Sequence, residues 1–288
     1  SKLAKYKAWL QEIRIFRPHQ LSADLEILFN DKKVSGENAW IRLFDETVSS
    51  LKFSIEDTNY SSSEVLNFLS DPSQEKRCKA AKSIADVFKE NIGIFSLIIN
   101  TLAKDKEIED RWRNFSNPIS SRNLSNQVED SVVDALVGAV KEKYPSLSHR
   151  YYKIKARWMG SDKLNYWDRN APLPEDDNRL ISWEEATDIV LSAYQGFSPQ
   201  LADVGQQFFD NAWIDAATYS GKVSGAFAHP TSVGVHPYLL LNYQGKSRDV
   251  MTLAHELGHG VHQVLAQPQG QLLSDTPLTL AETASVFG

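Results

Sequence analysis

Three polar residues with helical spacing lie near the C-terminal end of the chain. Residues 255–259 read His-Glu-Leu-Gly-His, the H-E-x-x-H pattern that is typical of zinc sites in metallopeptidases. Four residues of α-helix rotate by about 400°, so His255 and His259 leave the same face one turn apart and can bind one metal ion together. Glu256 lies about 100° around the helix, within reach of a water molecule at the metal, which is the position of a general base.

The sequence around the motif favours a helix that is anchored on one side. The alternative is a surface helix with two solvated histidines, because H-E-x-x-H also arises by chance. Apolar residues recur at helical spacing through the motif, and these are Val250, Leu253, Ala254, Leu257, Val261, Val264 and Leu265. His255, His259 and His262 fall on a different stripe, so the apolar face does not use them. Asp249 or Ser247 is expected to cap the start of this helix.

A candidate for a third metal ligand follows the motif. A catalytic zinc site takes three protein ligands and keeps one position open. Glu282 is the only carboxylate in the apolar stretch 278–287, where burial without a partner costs free energy that metal ligation removes. The alternative is that Glu282 faces solvent on an amphipathic helix. Other zinc arrangements do not fit, because His262 and Leu265 depart from the metzincin pattern and Cys78 is the only cysteine.

Several segments together resemble the M3 family of zinc metallopeptidases, in particular its oligoendopeptidase F branch. The resemblance extends from about residue 60 to the last residue. It is carried by residues 100–111, 224–230, 236–245, 249–262 and 281–285.

This resemblance implies a mostly helical fold around a deep channel with zinc at its floor, and cleavage of internal bonds in short peptides rather than folded proteins. By position it implies one Zn²⁺ ion held by His255, His259 and Glu282, with Glu256 as the general base. Family members continue beyond the point that corresponds to Gly288 and supply a segment with Tyr and His residues that binds substrate. The remainder of the catalytic domain is therefore expected as a partner of this chain.

Two other functional readings remain open. The chain could bind zinc or peptide without hydrolysing anything, as a catalytically incomplete part of such an enzyme. It could also be a structural scaffold that holds no metal.

Glycines interrupt the helical pattern in residues 215–246, which contain two apolar runs that predict strands. The runs are residues 225–228 and 238–243. An edge strand beside the H-E-x-x-H helix can bind the main chain of an extended peptide, and on the resemblance Gly225 and Ala226 are candidates for this role. His229 and His236 are candidates to contact substrate, with the alternative that both are loop histidines bonded to backbone.

Three further residues are candidates for orienting the metal ligands, because ligating side chains need hydrogen-bonding partners of their own. These residues are His262, Asp249 and Ser285.

Composition excludes several classes of function. The 288 residues are 42% hydrophobic and 24% charged, which is enough for a well-packed core. A net charge of -6 provides no basic surface for nucleic acid. No apolar run is long enough to span a membrane, and the N-terminus is too charged for a signal peptide. One cysteine is consistent with a reducing compartment, so a cytoplasmic location is expected.

The remaining pattern predicts a mainly α fold of the helical zincin type, with a small β-sheet beside the H-E-x-x-H helix and a catalytic domain that is incomplete at its C-terminus. The Ser- and Asn-rich stretch 114–126 is the predicted domain boundary. It separates an N-terminal helical domain, residues 1–115, from a catalytic domain, residues 116–288.

Individual elements follow from periodicity and capping residues. Asp71 with Pro72 is expected to start one helix, and Ser182 with Glu185 to form a capping box at another. Helices are expected at 1–17, 22–30, 37–50, 63–69, 72–90, 92–112, 126–143, 146–159, 182–195 and 199–212, with a strand at 51–57 and a loop at 170–178.

Overall fold

The computed structural model describes residues 3–173, 179–219 and 221–287, and within these ranges it confirms a mainly helical fold with small sheets. The α-helices are α1 (Lys7–Ile15), α2 (Ala23–Ser35), α3 (Glu37–Ser50), α4 (Ser62–Asn67), α5 (Gln74–Glu90), α6 (Ile92–Trp112), α7 (Ser120–Ser125), α8 (Asp130–Lys143), α9 (Ser148–Trp158), α10 (Trp183–Phe197), α11 (Pro199–Asp210), α12 (Ser247–Ala266) and α13 (Leu278–Phe287). Part of the loop predicted at 170–178 lies outside the described residues.

The described strands form one two-stranded and one three-stranded sheet. They are β1 (Phe53–Ile55), β2 (Thr58–Tyr60), β3 (Ile214–Asp215), β4 (Phe227–His229) and β5 (Tyr238–Leu240). In the three-stranded sheet β5 is central, paired with β3 in parallel and with β4 antiparallel. β4 is therefore an edge strand.

The largest hydrophobic core anchors α12. Val250, Leu253, Leu257 and Val261 are buried along one side of this helix, as the apolar spacing predicts. They pack with buried residues from α10, α11 and the end of β5, namely Ala186, Val190, Tyr194, Ala202, Phe208, Leu239 and Leu241. Each large apolar side chain that is fully buried contributes about 1.5–3 kcal/mol, so this face fixes the orientation of the whole helix.

A set of polar bonds fixes the start of α12 and corrects the predicted cap. Neither Asp249 nor Ser247 is the N-cap, which is Lys246. Asp249 instead occupies the third helical position, where its carboxylate accepts hydrogen bonds from the backbone N–H groups of Gln244 and Lys246, at 2.9 and 3.0 Å. The carboxylate still stabilises the helix start, because it supplies negative charge where the N–H groups are unpaired.

The strand predicted at 51–57 is a hairpin. β1 and β2 are joined by Glu56 and Asp57, whose φ values are 48° and 63°. Two consecutive positive φ values are the requirement of a type I′ turn, which usually contains Asn or Gly. A Glu-Asp pair does not carry that signal, so the sequence did not reveal the second strand.

Three other boundaries differ from expectation for local reasons. Helix α5 is capped by Ser73, whose side chain accepts a hydrogen bond from the backbone N–H of Lys76, rather than by Asp71. At α10 Ser182 is the N-cap as predicted, but the carboxylate of Glu185 pairs with Arg179. The stretch 114–126, predicted as the domain boundary, contains the short helix α7.

Candidate metal centre

Helix α12 brings the two motif histidines together. The ring centroids of His255 and His259 are 4.9 Å apart, with the ring planes nearly perpendicular at 83°. The side chain of His255 is 35% exposed and that of His259 is 15% exposed, so both rings border solvent on the side of the helix away from its apolar face.

Glu282 on α13 reaches both rings. Its two carboxylate oxygens lie 3.6 Å from Nε2 of His255 and 3.6 Å from Nε2 of His259. One ligand atom from each of the three residues lies within 4.8 Å of the others. Tetrahedral zinc with bonds of about 2.0–2.2 Å separates its ligand atoms by roughly 3.4 Å, so this donor set fits one Zn²⁺ ion with little movement.

Glu282 does converge on the histidines, but the burial argument by which the sequence analysis selected it was wrong. The side chain of Glu282 is 54% exposed, so an unpaired carboxylate there carries little burial cost. Leu280 and Val286 on the same short helix are also exposed. What singles out Glu282 is its position against α12.

Burial shifts the pKa values of Glu256 and His259 in opposite directions. Glu256 is only 7% exposed, and burial raises its pKa, which His255 lowers and Glu282 raises further. Burial lowers the pKa of His259, an effect opposed by the carboxylate of Glu282. A buried glutamate with a raised pKa and a neutral imidazole are the protonation tendencies that a general base and a metal ligand require.

Three of the four predicted substrate-contacting residues lie in or just before the edge strand β4. Gly225 has a φ of 97° and precedes the edge strand β4, and Ala226 packs against the core. Nδ1 of His229, at the end of β4, accepts a hydrogen bond from the backbone N–H of Thr231. His229 and Ala226 remain candidates for substrate contact on this edge.

His236 has a different environment from the other candidates. Its ring stacks on Trp213 with centroids 4.1 Å apart and planes 4° from parallel, and it also contacts Tyr238. Nδ1 lies 3.0 Å from the carbonyl oxygen of Pro237. The stacking holds the ring in one orientation just before the start of β5.

The three candidates for orienting the metal ligands occupy different places. Asp249 bonds to backbone at the start of α12, two turns before the histidines. His262 is near enough to His259 to lower its pKa. Ser285 is 1% exposed, and its hydroxyl donates to the carbonyl oxygen of His255 at 2.5 Å, so it contacts the backbone of a candidate ligand and not its ring.

Three residues near the site carried no sequence signal that singled them out. The hydroxyl of Tyr194, on α10, donates to the carbonyl oxygen of Ala254 at 2.6 Å, which is a contact across 60 residues. Gly258 is an unspecified position within H-E-x-x-H, yet it lies against Ser285. The amide of Asn242 donates to the carbonyl oxygens of Val223 and Gly225, both at 2.9 Å.

Comparison with models of known protein families shows to which family the chain belongs. The model of Peptidase family M3 matches residues 67–288, and the model described as Oligopeptidase F, an N-terminal family, matches residues 1–53. The chain belongs to peptidase family M3. The resemblance drawn from the sequence is thereby confirmed, while the proposed boundary near residue 115 stays a prediction.

Individual relatives agree with this placement. The chain is 25% identical over 268 residues to Oligopeptidase PepF of Bacillus subtilis, covering 91% of the chain and 40% of that relative. It is 30% identical over 198 residues to an Oligoendopeptidase F homolog of Borreliella burgdorferi, covering 68% of the chain and 33% of that relative. The chain thus spans less than half the length of these relatives.

The fold is shared with solved structures. Superposition on PZ peptidase A with inhibitor 2 gives a TM-score of 0.82 at 18% identity, covering 98% of the chain and 50% of that structure. In the part of the chain that the structure describes, no helix is both long and apolar enough to cross a membrane.

Proposed function

We propose that this chain carries the zinc site of a cytoplasmic metalloendopeptidase that hydrolyses internal bonds of short peptides. His255, His259 and Glu282 would hold one Zn²⁺ ion, and Glu256 would act as the general base. The observation that supports this most strongly is the approach of Glu282 to both imidazoles at 3.6 Å, from a separate helix, in a member of peptidase family M3.

The chemistry follows from the donor set and the buried acid. Zinc, when bound, supplies Lewis acidity that activates water and polarises a carbonyl group. Glu256 accepts the proton of the attacking water through its carboxylate and returns it to the amine that leaves. Burial of Glu256, which raises its pKa, suits it to hold that proton between the two steps.

The edge strand provides a way to bind peptide without strong sequence selectivity. A substrate in extended conformation would add to β4 by main-chain hydrogen bonds, beginning near Gly225 and Ala226. The amide of Asn242 fixes the carbonyl oxygen of Gly225 and so limits the conformations of this segment. His229, the last residue of β4, and His236, just before β5, are proposed to contact substrate side chains.

A second candidate function is binding of zinc or peptide without hydrolysis. The observation that favours it is the short length of the chain relative to its relatives. The chain spans 40% of the Bacillus subtilis relative and 33% of the Borreliella burgdorferi relative.

The two candidates are separated by assaying an internally quenched peptide with and without a chelator. Turnover by the 288-residue chain that the chelator abolishes excludes the binding-only function. Zinc content without turnover favours it. A chain with no bound metal, no turnover and no binding of the peptide excludes both and leaves the structural scaffold.

Paired variants test the roles within the site. Glu256→Gln is expected to retain zinc, because it does not remove a metal ligand. Its rate of peptide hydrolysis is expected to fall about 10²–10⁴-fold, because it removes the group that transfers the proton. His255→Ala is expected to lose zinc and hydrolysis together. Retention of stoichiometric zinc by His255→Ala would contradict the ligand assignment.

A further inference from the structure

Two hydroxyl groups from different helices bind consecutive carbonyl oxygens of α12, at the turn that carries His255. Tyr194 on α10 donates to the carbonyl oxygen of Ala254 at 2.6 Å. Ser285 on α13 donates to the carbonyl oxygen of His255 at 2.5 Å. A carbonyl oxygen inside a helix has a second lone pair, so each can accept a side-chain hydroxyl in addition to its helical hydrogen bond.

Gly258 provides the space for these contacts. A Cβ atom at this position would lie 3.3 Å from both Cα and the carbonyl oxygen of Ser285, and 3.4 Å from the hydroxyl of Tyr194. Glycine inside a helix is destabilising relative to alanine, so its presence calls for a packing reason. Here the reason is that the backbone of α13 lies directly against α12.

Ser285 also stands in a defined relation to Glu282. The two residues are three positions apart on α13, so they share one side of that helix on successive turns. Ser285 is 1% exposed, whereas the side chain of Glu282 is 54% exposed. The buried hydroxyl therefore links α13 directly to the turn bearing His255.

We propose that Tyr194, Gly258 and Ser285 form a carbonyl clamp that positions Glu282 as the third zinc ligand. Ser285 sets the distance between the Glu282 turn and the His255 turn. Gly258 permits that distance, and Tyr194 fixes the neighbouring carbonyl group of Ala254 beside it. None of the three touches the metal, so they are positioning residues, and the inference rests on the proposed function of the zinc site.

Zinc affinity of the 288-residue chain, measured by competition with a chromophoric chelator, tests the clamp. Ser285→Ala is expected to weaken zinc binding about 10–100-fold, the usual effect of removing a partner that orients ligands. Thr283→Ala is the matched control, because the hydroxyl of Thr283 donates within α13 to the carbonyl oxygen of Thr279. The control is expected to change zinc affinity less than twofold.

A double-mutant cycle distinguishes positioning of Glu282 from a general loss of structure. In a Glu282→Gln background, Ser285→Ala is expected to cause less than a twofold further loss of zinc affinity. A full additional loss in that background would overturn the clamp, since Ser285 would then act independently of Glu282. Unchanged affinity of the single variant Ser285→Ala would overturn it as well.

A second variant keeps the test decisive if Ser285→Ala does not fold. Tyr194→Phe retains the buried ring and removes only the hydroxyl, and it is expected to weaken zinc binding at least threefold. Parental affinity in Tyr194→Phe would then count against the clamp. A parental chain that binds no zinc would refute the proposed function itself, whereas zinc binding that is insensitive to these hydroxyls would refute the clamp alone.

Discussion

Gly260 offers a direct test of how α12 is seated in the core. It is a buried helical residue, and a Cβ atom there would lie 2.7 and 2.8 Å from two ring carbons of Phe208 and 3.0 Å from a methyl carbon of Leu239. Ordinary carbon contacts are about 3.5–4.0 Å, so one of these groups must move by roughly 1 Å. Phe208 is 0% exposed, so its ring is enclosed by other core residues.

The expected magnitude of Gly260→Ala is the balance of two effects. Alanine is favoured over glycine in a helix by about 0.5–1 kcal/mol. Overpacking a well-filled core costs about 1–3 kcal/mol. The difference spans about 0–2.5 kcal/mol, and contacts as short as 2.7 Å favour its upper part, so we expect the free energy of unfolding to fall by about 1–2 kcal/mol. Urea denaturation followed by circular dichroism measures the change.

A matched control and a compensating variant make this prediction refutable. Gly138→Ala makes the same change inside α8, where a Cβ atom meets nothing within 4 Å, and it is expected to stabilise the chain by about 0.5–1 kcal/mol. Phe208→Leu combined with Gly260→Ala is expected to be less destabilised than the sum of the two single variants. Strict additivity, or stabilisation by Gly260→Ala alone, would show that the helix is not seated as described.

Two further predictions concern charged pairs outside the candidate metal centre. Arg77 is 1% exposed and donates a hydrogen bond to Asp168 at 2.7 Å. Arg77→Met leaves the buried carboxylate of Asp168 without its charged partner, so we expect it to lower the free energy of unfolding by about 3–5 kcal/mol. Urea denaturation measures this change, and a loss below about 1 kcal/mol would contradict the prediction. A hydrogen bond from Arg113 and one from the backbone of Leu21 lower the pKa of Glu26 from 4.5 to about 2. The stability that Glu26 adds is thus present above pH 4.5 and lost as the pH falls towards 2, and it is about 1 kcal/mol after allowance for the 37% exposure of this side chain. Acid denaturation of Glu26→Gln should show a shallower loss over this window than the parent, and an identical pH profile would refute the assignment.

The sequence was sufficient for features that depend on local spacing. The two histidines of α12 and its apolar face follow from a period of 3.6 residues, which a buried helix must keep. The long helices α5 and α6 were located for the same reason. The proximity of Glu282 could be expected only from the family resemblance, because the burial argument for it does not hold in the structure.

Contacts between distant segments could not be read from the sequence. The bond of Tyr194 to α12 spans 60 residues and leaves no local pattern. Strand β3 has two residues, too few to show an alternating pattern. It pairs in parallel with β5, although β4 lies between the two strands in the sequence. The space that Gly258 provides becomes apparent only when α13 is in place against it.

Diffraction at the zinc absorption edge from crystals of the 288-residue chain grown with zinc tests the central claim most directly. We predict one anomalous peak, about 2.0–2.2 Å from Nε2 of His255, Nε2 of His259 and a carboxylate oxygen of Glu282. A peak elsewhere, or a metal on the two histidines with the carboxylate of Glu282 more than 4 Å away, would contradict the account.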